Sequence, residues 1–112
     1  MKMALEGTKL SEVDVVLMHA PGTIKGDLSE RNAIKAVFGD TMPALTSNKW
    51  KIGHTFAASG MLSIEMAIVM LERGTFIGVP FLGKEKRGTA VKRVLVNAVG
   101  FGGNAVSVLL SR

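Results

Sequence analysis

Apolar residues in this chain gather in short blocks, separated by glycine-rich or charged stretches, and their spacing changes from block to block. Residues 3–11 predict a short helix. Val13 to Met18 is a compact β-branched run with the character of a buried strand. Pro21, Gly22 and Gly26 then mark a loop. Asp27, with Glu30 three residues on, predicts a helix start, because a side-chain oxygen at the cap can take one of the backbone N–H groups that the first turn leaves unpaired. That helix carries Leu28, Ala33, Ile34, Val37 and Phe38 on one side and stops at Gly39. Pro43 to Thr46 predicts a second strand. From about Ala57 to Arg73 the chain is apolar nearly all round, which predicts a helix covered on most faces by other layers. Val91 to Val99 and Ala105 to Leu110 predict two strands, and the glycines of Gly100-Phe101-Gly102-Gly103-Asn104 suit an antiparallel turn between them.

Alternating helices and strands followed by a terminal hairpin imply an α/β layered domain with a mixed sheet. A length of 112 residues, with no internal repeat and no Ser/Pro linker, predicts one domain over residues 1–112. The thirteen glycines sit at junctions, as turns between regular elements do. No apolar run exceeds six residues, so no membrane span is expected. The first residues lack the apolar core of a signal peptide, which makes the cytoplasm the expected location.

Cysteine is absent, which removes a disulfide scaffold, a zinc–thiolate site and a cysteine nucleophile from these residues. The net charge is +5, and most of it sits in one stretch, where Lys84, Lys86, Arg87, Lys92 and Arg93 face only Glu85. Such a stretch is either a solvated loop or a contact for phosphates or an acidic protein. Nucleic acid is not an expected partner, since no aromatic side chains interleave with the basic ones and the chain has one Trp and no Tyr.

Only two histidines occur, His19 and His54, each after or near a predicted strand and beside glycine. A lone histidine is usually a surface or satisfied core residue, but the surroundings here are distinctive. His19-Ala20-Pro21-Gly22-Thr23, with Gly26-Asp27 and Glu30 after it, resembles the His-Gly-Thr-Gly-Thr loop of the β-ketoacyl-acyl carrier protein synthases. Lys49-Trp50-Lys51-Ile52-Gly53-His54, with Ala57-Ala58-Ser59-Gly60 following, is similar to the family's Lys-x-x-x-Gly-His segment and its Gly-Ala-Ala-Gly helix start. Asn97-Ala98-Val99-Gly100-Phe101-Gly102-Gly103-Asn104 is similar to the family's Asn-Ser-Phe-Gly-Phe-Gly-Gly-Thr-Asn segment. Three blocks in the right order cover about residues 10–110.

The resemblance implies the C-terminal half of an elongating, Cys-His-His type synthase: a three-layer α/β/α half of a thiolase-like fold. Its mixed sheet would end in an antiparallel strand pair and lack the N-terminal half that bears the nucleophile. The implied reaction is a decarboxylative condensation in fatty acid or polyketide synthesis. Malonyl-carrier protein loses carbon dioxide, and the resulting enolate attacks an acyl thioester held on a cysteine outside this chain. By the same resemblance His19 and His54 present N–H donors to the malonyl thioester oxygen, Lys49 is the site lysine and Glu30 the acid that pairs with it. Thr23 would touch the pantetheine arm, and Phe101 beside Gly102 would gate the acyl pocket. Other readings stay open: Glu30 as a helix cap, Lys49 as a solvated lysine, Phe101 as a hydrophobic plug and Thr23 as a turn residue.

Some positions depart from the family pattern. Pro21 replaces the first threonine of the loop, which loses a hydroxyl and stiffens the backbone. Leu17 and Ser63 stand where some members hold an Asn and a Glu around a structural cation, so no metal is expected, nor any other cofactor. The connection between Phe81 and Val91 is short. Thiolases fit poorly without a second cysteine, and the His-plus-Asn initiating enzymes fit poorly beside Lys49, His54 and the Gly-Phe-Gly-Gly turn. The expected partner is acyl carrier protein, with a homo-oligomer or dimer formed through the full-length protein. The rival reading is a non-catalytic half-fold that docks the carrier protein through its basic stretch. In the family, a central strand would precede Met1 and leave strand edges here unpaired, so self-association is expected.

Overall fold

In the computed structural model, which describes residues 1–80, 90–100 and 104–112, a sheet forms from β1 (Val15–Leu17), β2 (Ala44–Thr46), β3 (Arg93–Val99) and β4 (Ala105–Ser111). Among the described residues the strand order is β2-β1-β3-β4. β1 runs parallel to β2 and to β3, with Val16 opposite Leu45 on one side and Leu95 on the other. β3 and β4 pair antiparallel along their whole length, from Arg93 opposite Ser111 to Val99 opposite Ala105.

All three β1 residues are buried, and their side chains alternate between two cores. Val15 and Leu17 point to a cluster with Ala67, Met70 and Val94. Val16 points to the opposite cluster with Ile34, Phe38 and Leu95. A strand apolar at every position is therefore the middle layer of three, since both its faces need cover. In the structure β1 and β3 fill the interior of the described sheet, because both have partners on both backbone edges, and the outer strands are β2 and β4.

One outer layer is α1 (Ile24–Phe38), which buries Glu30, Ile34 and Phe38 at four-residue intervals. Its cap is Thr23, whose side chain accepts from the Gly26 N–H at 3.1 Å. The cap expected at Asp27 is thus corrected: Asp27 lies inside the first turn, and its carboxylate accepts from the Gly22 N–H at 3.1 Å. The start falls earlier because Gly26 lets the loop fold tightly against the helix. A Cβ there would lie 2.6 Å from Thr23 Oγ1 and 2.7 Å from Pro21 Cγ. With the helix turned this way, Leu28 is half exposed instead of facing the core. The far end stops at Gly39, as its position in the sequence implied, with φ 55° and its N–H bonded to the Lys35 carbonyl at 2.8 Å.

The other layer is α3 (Ser59–Arg73), reached from β2 through the short helix α2 (Lys49–Ile52) and a single 3₁₀ turn, Phe56–Ala58. The buried residues of α3 are Ser59, Ser63, Ala67, Met70 and Leu71, a stripe that begins with small side chains. Small side chains let the helix lie close to β3, where a Cβ on Gly60 would come 3.6 Å from Ala98 Cβ. The expectation of burial on most faces is corrected: Met61 is 68% and Ile68 44% exposed, because nothing among the described residues covers that outer side. The helix expected over residues 3–11 is also replaced, by 3₁₀ turns at Met3–Leu5 and Leu10–Glu12. Gly7, at φ 78°, turns the chain out of a helical path between them.

Candidate active site

Because β1, β2 and β3 all run the same way, their carboxyl ends open on one edge of the sheet, which is where open α/β sheets bind ligands. His19 follows the end of β1. His54 arrives at the same edge by way of α2 and Gly53, which turns at φ 70°. The two imidazoles meet there, with His54 Nε2 3.2 Å from His19 Nε2, ring centroids 5.0 Å apart and planes at 86°. Together with Pro21, Phe56, Val99 and Gly100 they line a cleft of about 470 Å³.

The backbone beside each histidine is held in the left-handed region. Ala20 has φ 40°, Thr55 φ 46° and Phe56 φ 45°, and among the described residues no other non-glycine has positive φ. Such conformations persist only where the surrounding structure enforces them. At Phe56 the turn aims the backbone N–H back at His54 Nδ1, 3.2 Å away. An N–H can only donate, so His54 Nδ1 accepts, and the neutral ring carries its hydrogen on Nε2, facing His19.

His19 is 5% exposed. Burial chiefly, then Lys49 and His54, push its pKa below the ordinary 6.5, against the opposing pull of Glu30 and Asp27. The ring is therefore neutral at neutral pH.

Glu30 fixes the loop that carries this histidine. Its Oε1 accepts from the His19 N–H at 2.8 Å and from Asn97 Nδ2 at 3.2 Å, and its Oε2 accepts from the Ala20 N–H at 2.8 Å. Asn97 Oδ1 accepts in turn from Ser107 Oγ at 2.8 Å. A buried carboxylate is tolerable when N–H donors satisfy its oxygens, and these do so without a cation. The expected pairing with Lys49 is accordingly corrected: among the described residues no ion pair joins them. Lys49 Nζ instead donates to Asn48 Oδ1 at 3.4 Å. Burial lowers the Lys49 pKa and Glu30 opposes that shift, so the two groups interact through space.

Of the remaining candidates, Thr23 stands at the mouth of the loop with its hydroxyl oxygen engaged as the α1 cap. Phe101 and Gly102 lie outside the described residues, as do Lys84, Lys86 and Arg87 of the basic stretch. Leu17 is packed in the core and Ser63 is buried. Among the described residues no group of three or more His, Asp or Glu converges as a metal-ligand set, and no helix is long and apolar enough to cross a membrane. Asn97 and Ser107 were not singled out from the sequence as site residues. The available signal was an Asn and a Ser inside otherwise apolar strands, and only the paired register of β3 and β4, with Asn97 opposite Ser107, gives it meaning.

Comparison with known proteins agrees with this arrangement. The family model for the beta-ketoacyl synthase C-terminal domain matches residues 1–80, a span that includes His19, Thr23, Glu30, Lys49 and His54. The 3-oxoacyl-[acyl-carrier-protein] synthase 1 of Escherichia coli strain K12 is 30% identical over 124 aligned residues, covering 100% of this chain and 30% of that protein. The ishigamide ketosynthase/chain length factor superposes with a TM-score of 0.86 at 27% identity, covering 98% of this chain and 31% of that one. A ketosynthase solved in complex with its type II polyketide synthase acyl-carrier protein shares the fold, with a TM-score of 0.82 at 23% identity over 99% of this chain and 31% of that one. The chain thus spans about a third of each of these relatives. With two histidines meeting at the carboxyl edge of the sheet and a family model that matches most of its length, the chain belongs to the beta-ketoacyl synthase family, in its C-terminal domain.

Proposed function

We propose that residues 1–112 form the C-terminal part of a 3-oxoacyl-[acyl-carrier-protein] synthase of fatty acid or polyketide biosynthesis. A cysteine-bearing segment beyond them would complete the site. The observation that carries the proposal is the pair of imidazoles, Nε2 to Nε2 at 3.2 Å, in the lining of a largely apolar cleft.

The condensation needs N–H donors where negative charge develops. When the malonyl carboxylate leaves as carbon dioxide, the C–C bonding pair moves into an enolate whose charge rests on the thioester oxygen. The enolate carbon then attacks the acyl thioester carbon, and the cysteine sulfur departs with the bonding pair. In this reading His54 and His19 hold the enolate oxygen, and Glu30 sets the position of His19 through its backbone N–H. Lys49 supplies positive charge beside the site, Thr23 contacts the pantetheine arm, and Phe101 with Gly102 borders the acyl pocket. The partner is acyl carrier protein, the assembled protein is a homo-oligomer, and its setting is the cytoplasm.

A complementation assay tests this. The chain is mixed with the cysteine-bearing remainder of a synthase, an acyl-carrier protein and malonyl-carrier protein, and condensed product is measured. Product is expected only when both parts are present, with a loss of at least about 100-fold on His54→Ala, the usual scale for removing one preorganised donor. Carrier-protein binding with no condensation would overturn the enzyme reading and leave a docking module in its place.

A further inference from the structure

The contact between the two imidazoles also fixes the proton on His19. Since the Phe56 N–H occupies His54 Nδ1, the His54 hydrogen lies on Nε2 and is donated across 3.2 Å to His19 Nε2. His19 Nε2 must then accept. A neutral imidazole that accepts at Nε2 carries its hydrogen on Nδ1, and His19 Nδ1 is buried with no hydrogen-bond partner among the described residues.

The alternatives are worse. With its hydrogen on Nε2, His19 would set two N–H groups against each other at 3.2 Å. Doubly protonated, it would keep that collision and add a positive charge facing Lys49 and His54. Among the described residues Glu30 and Asp27 are the acids that favour the charge, and burial weighs most against it. The Glu30 carboxylate is moreover already engaged by the His19 and Ala20 N–H groups and by Asn97.

We infer that, while the rings touch, His19 is held in the Nδ1–H tautomer, so that the pair offers one imidazole donor, and that the second donor arises only when an oxygen acceptor inserted between the rings draws the His19 hydrogen to Nε2. The exchange leaves the ring neutral: one proton leaves Nδ1 and one arrives at Nε2, with water as the carrier. This deepens the function proposed above and rests on it in one respect, that the inserted oxygen is that of a malonyl thioester. The His54 side is preset by the backbone, and His19 becomes the switchable member of the pair. An acceptor that engages both nitrogens then gains a donor that an acceptor touching His54 alone does not, which favours a thioester oxygen seated between the rings.

The test is a long-range ¹H–¹⁵N correlation spectrum of the ¹⁵N-labelled chain at neutral pH. His19 should show a protonated Nδ1 and a bare Nε2, and His54 the reverse. In His54→Ala, which removes the donor to Nε2, the His19 hydrogen should move to Nε2 in a substantial share of molecules. A parent spectrum with His19 protonated at Nε2 overturns the inference, as does a folded His54→Ala chain in which His19 stays wholly Nδ1–H. The parent spectrum decides by itself should that variant fail to fold. It also separates the two ideas. His19 on Nε2 together with condensation in the complementation assay removes the tautomer inference alone. His19 on Nδ1 without condensation removes the enzyme reading alone.

Discussion

At the scale of single residues, the histidine pair depends on neighbours that set the backbone around it. Ala20, Thr55 and Phe56 hold the left-handed conformations that turn the chain beside each imidazole, and Glu30 anchors the first of these turns through two backbone N–H groups. The buried environment that keeps His19 neutral also links its titration to stability. Its folded pKa lies below 6.5, so below that pH the unfolded chain takes up more protons than the folded one. This contribution to stability is complete above pH 6.5, declines as the pH falls toward the lowered folded value, and is gone below it. Thermal melting measured from pH 7.5 down to 4.5 should show this decline, and His19→Gln should flatten that part of the profile. An equal slope in parent and variant would assign the acid sensitivity to other groups.

At the scale of elements, α1 shows how one early turn redirects a functional side chain. The spacing from Asp27 to Glu30 satisfies a capping pattern, and read along the sequence alone Glu30 belongs at a helix start. The structure begins the helix at Ile24, so Glu30 falls in the second turn, on the same side as Ile34 and Phe38, and reaches the His19 loop. Thr23→Ala, which removes the cap, should cost about 1 kcal/mol in urea denaturation. Gly26→Ala should also destabilise, because its methyl group would meet Thr23 Oγ1 and Pro21. A neutral result for both would place the helix start elsewhere. The other end of α1 was readable, since Gly39 adopts a conformation that glycine takes at little steric cost. So was the β3–β4 pair, whose apolar runs and glycine-rich junction are local features.

For the whole molecule, the outer surfaces are the informative part. Met61 and Ile68 stand exposed on α3, Val106 and Val108 on β4, and β2 and β4 are the outer strands of the described sheet. Exposed apolar side chains beside open strand edges favour association, and the portion matched here is only about a third of each relative's length. Sedimentation should therefore show self-association at micromolar concentration, reduced when the cysteine-bearing remainder of a synthase is added. A strictly monomeric profile across that range would count against it. The sequence by itself determined the alternation of elements, the layered α/β class, the helix stop at Gly39, the terminal hairpin and the two histidines, because each rests on local periodicity, on glycine, or on a short motif. Only the tertiary structure decided that His19 and His54 touch, that Glu30 is satisfied by backbone N–H groups and Asn97 instead of Lys49, and that no described residue covers the outer side of α3. Those outcomes depend on which donors come within hydrogen-bonding distance when separate strands align, and distance between residues far apart in the chain is a property of packing.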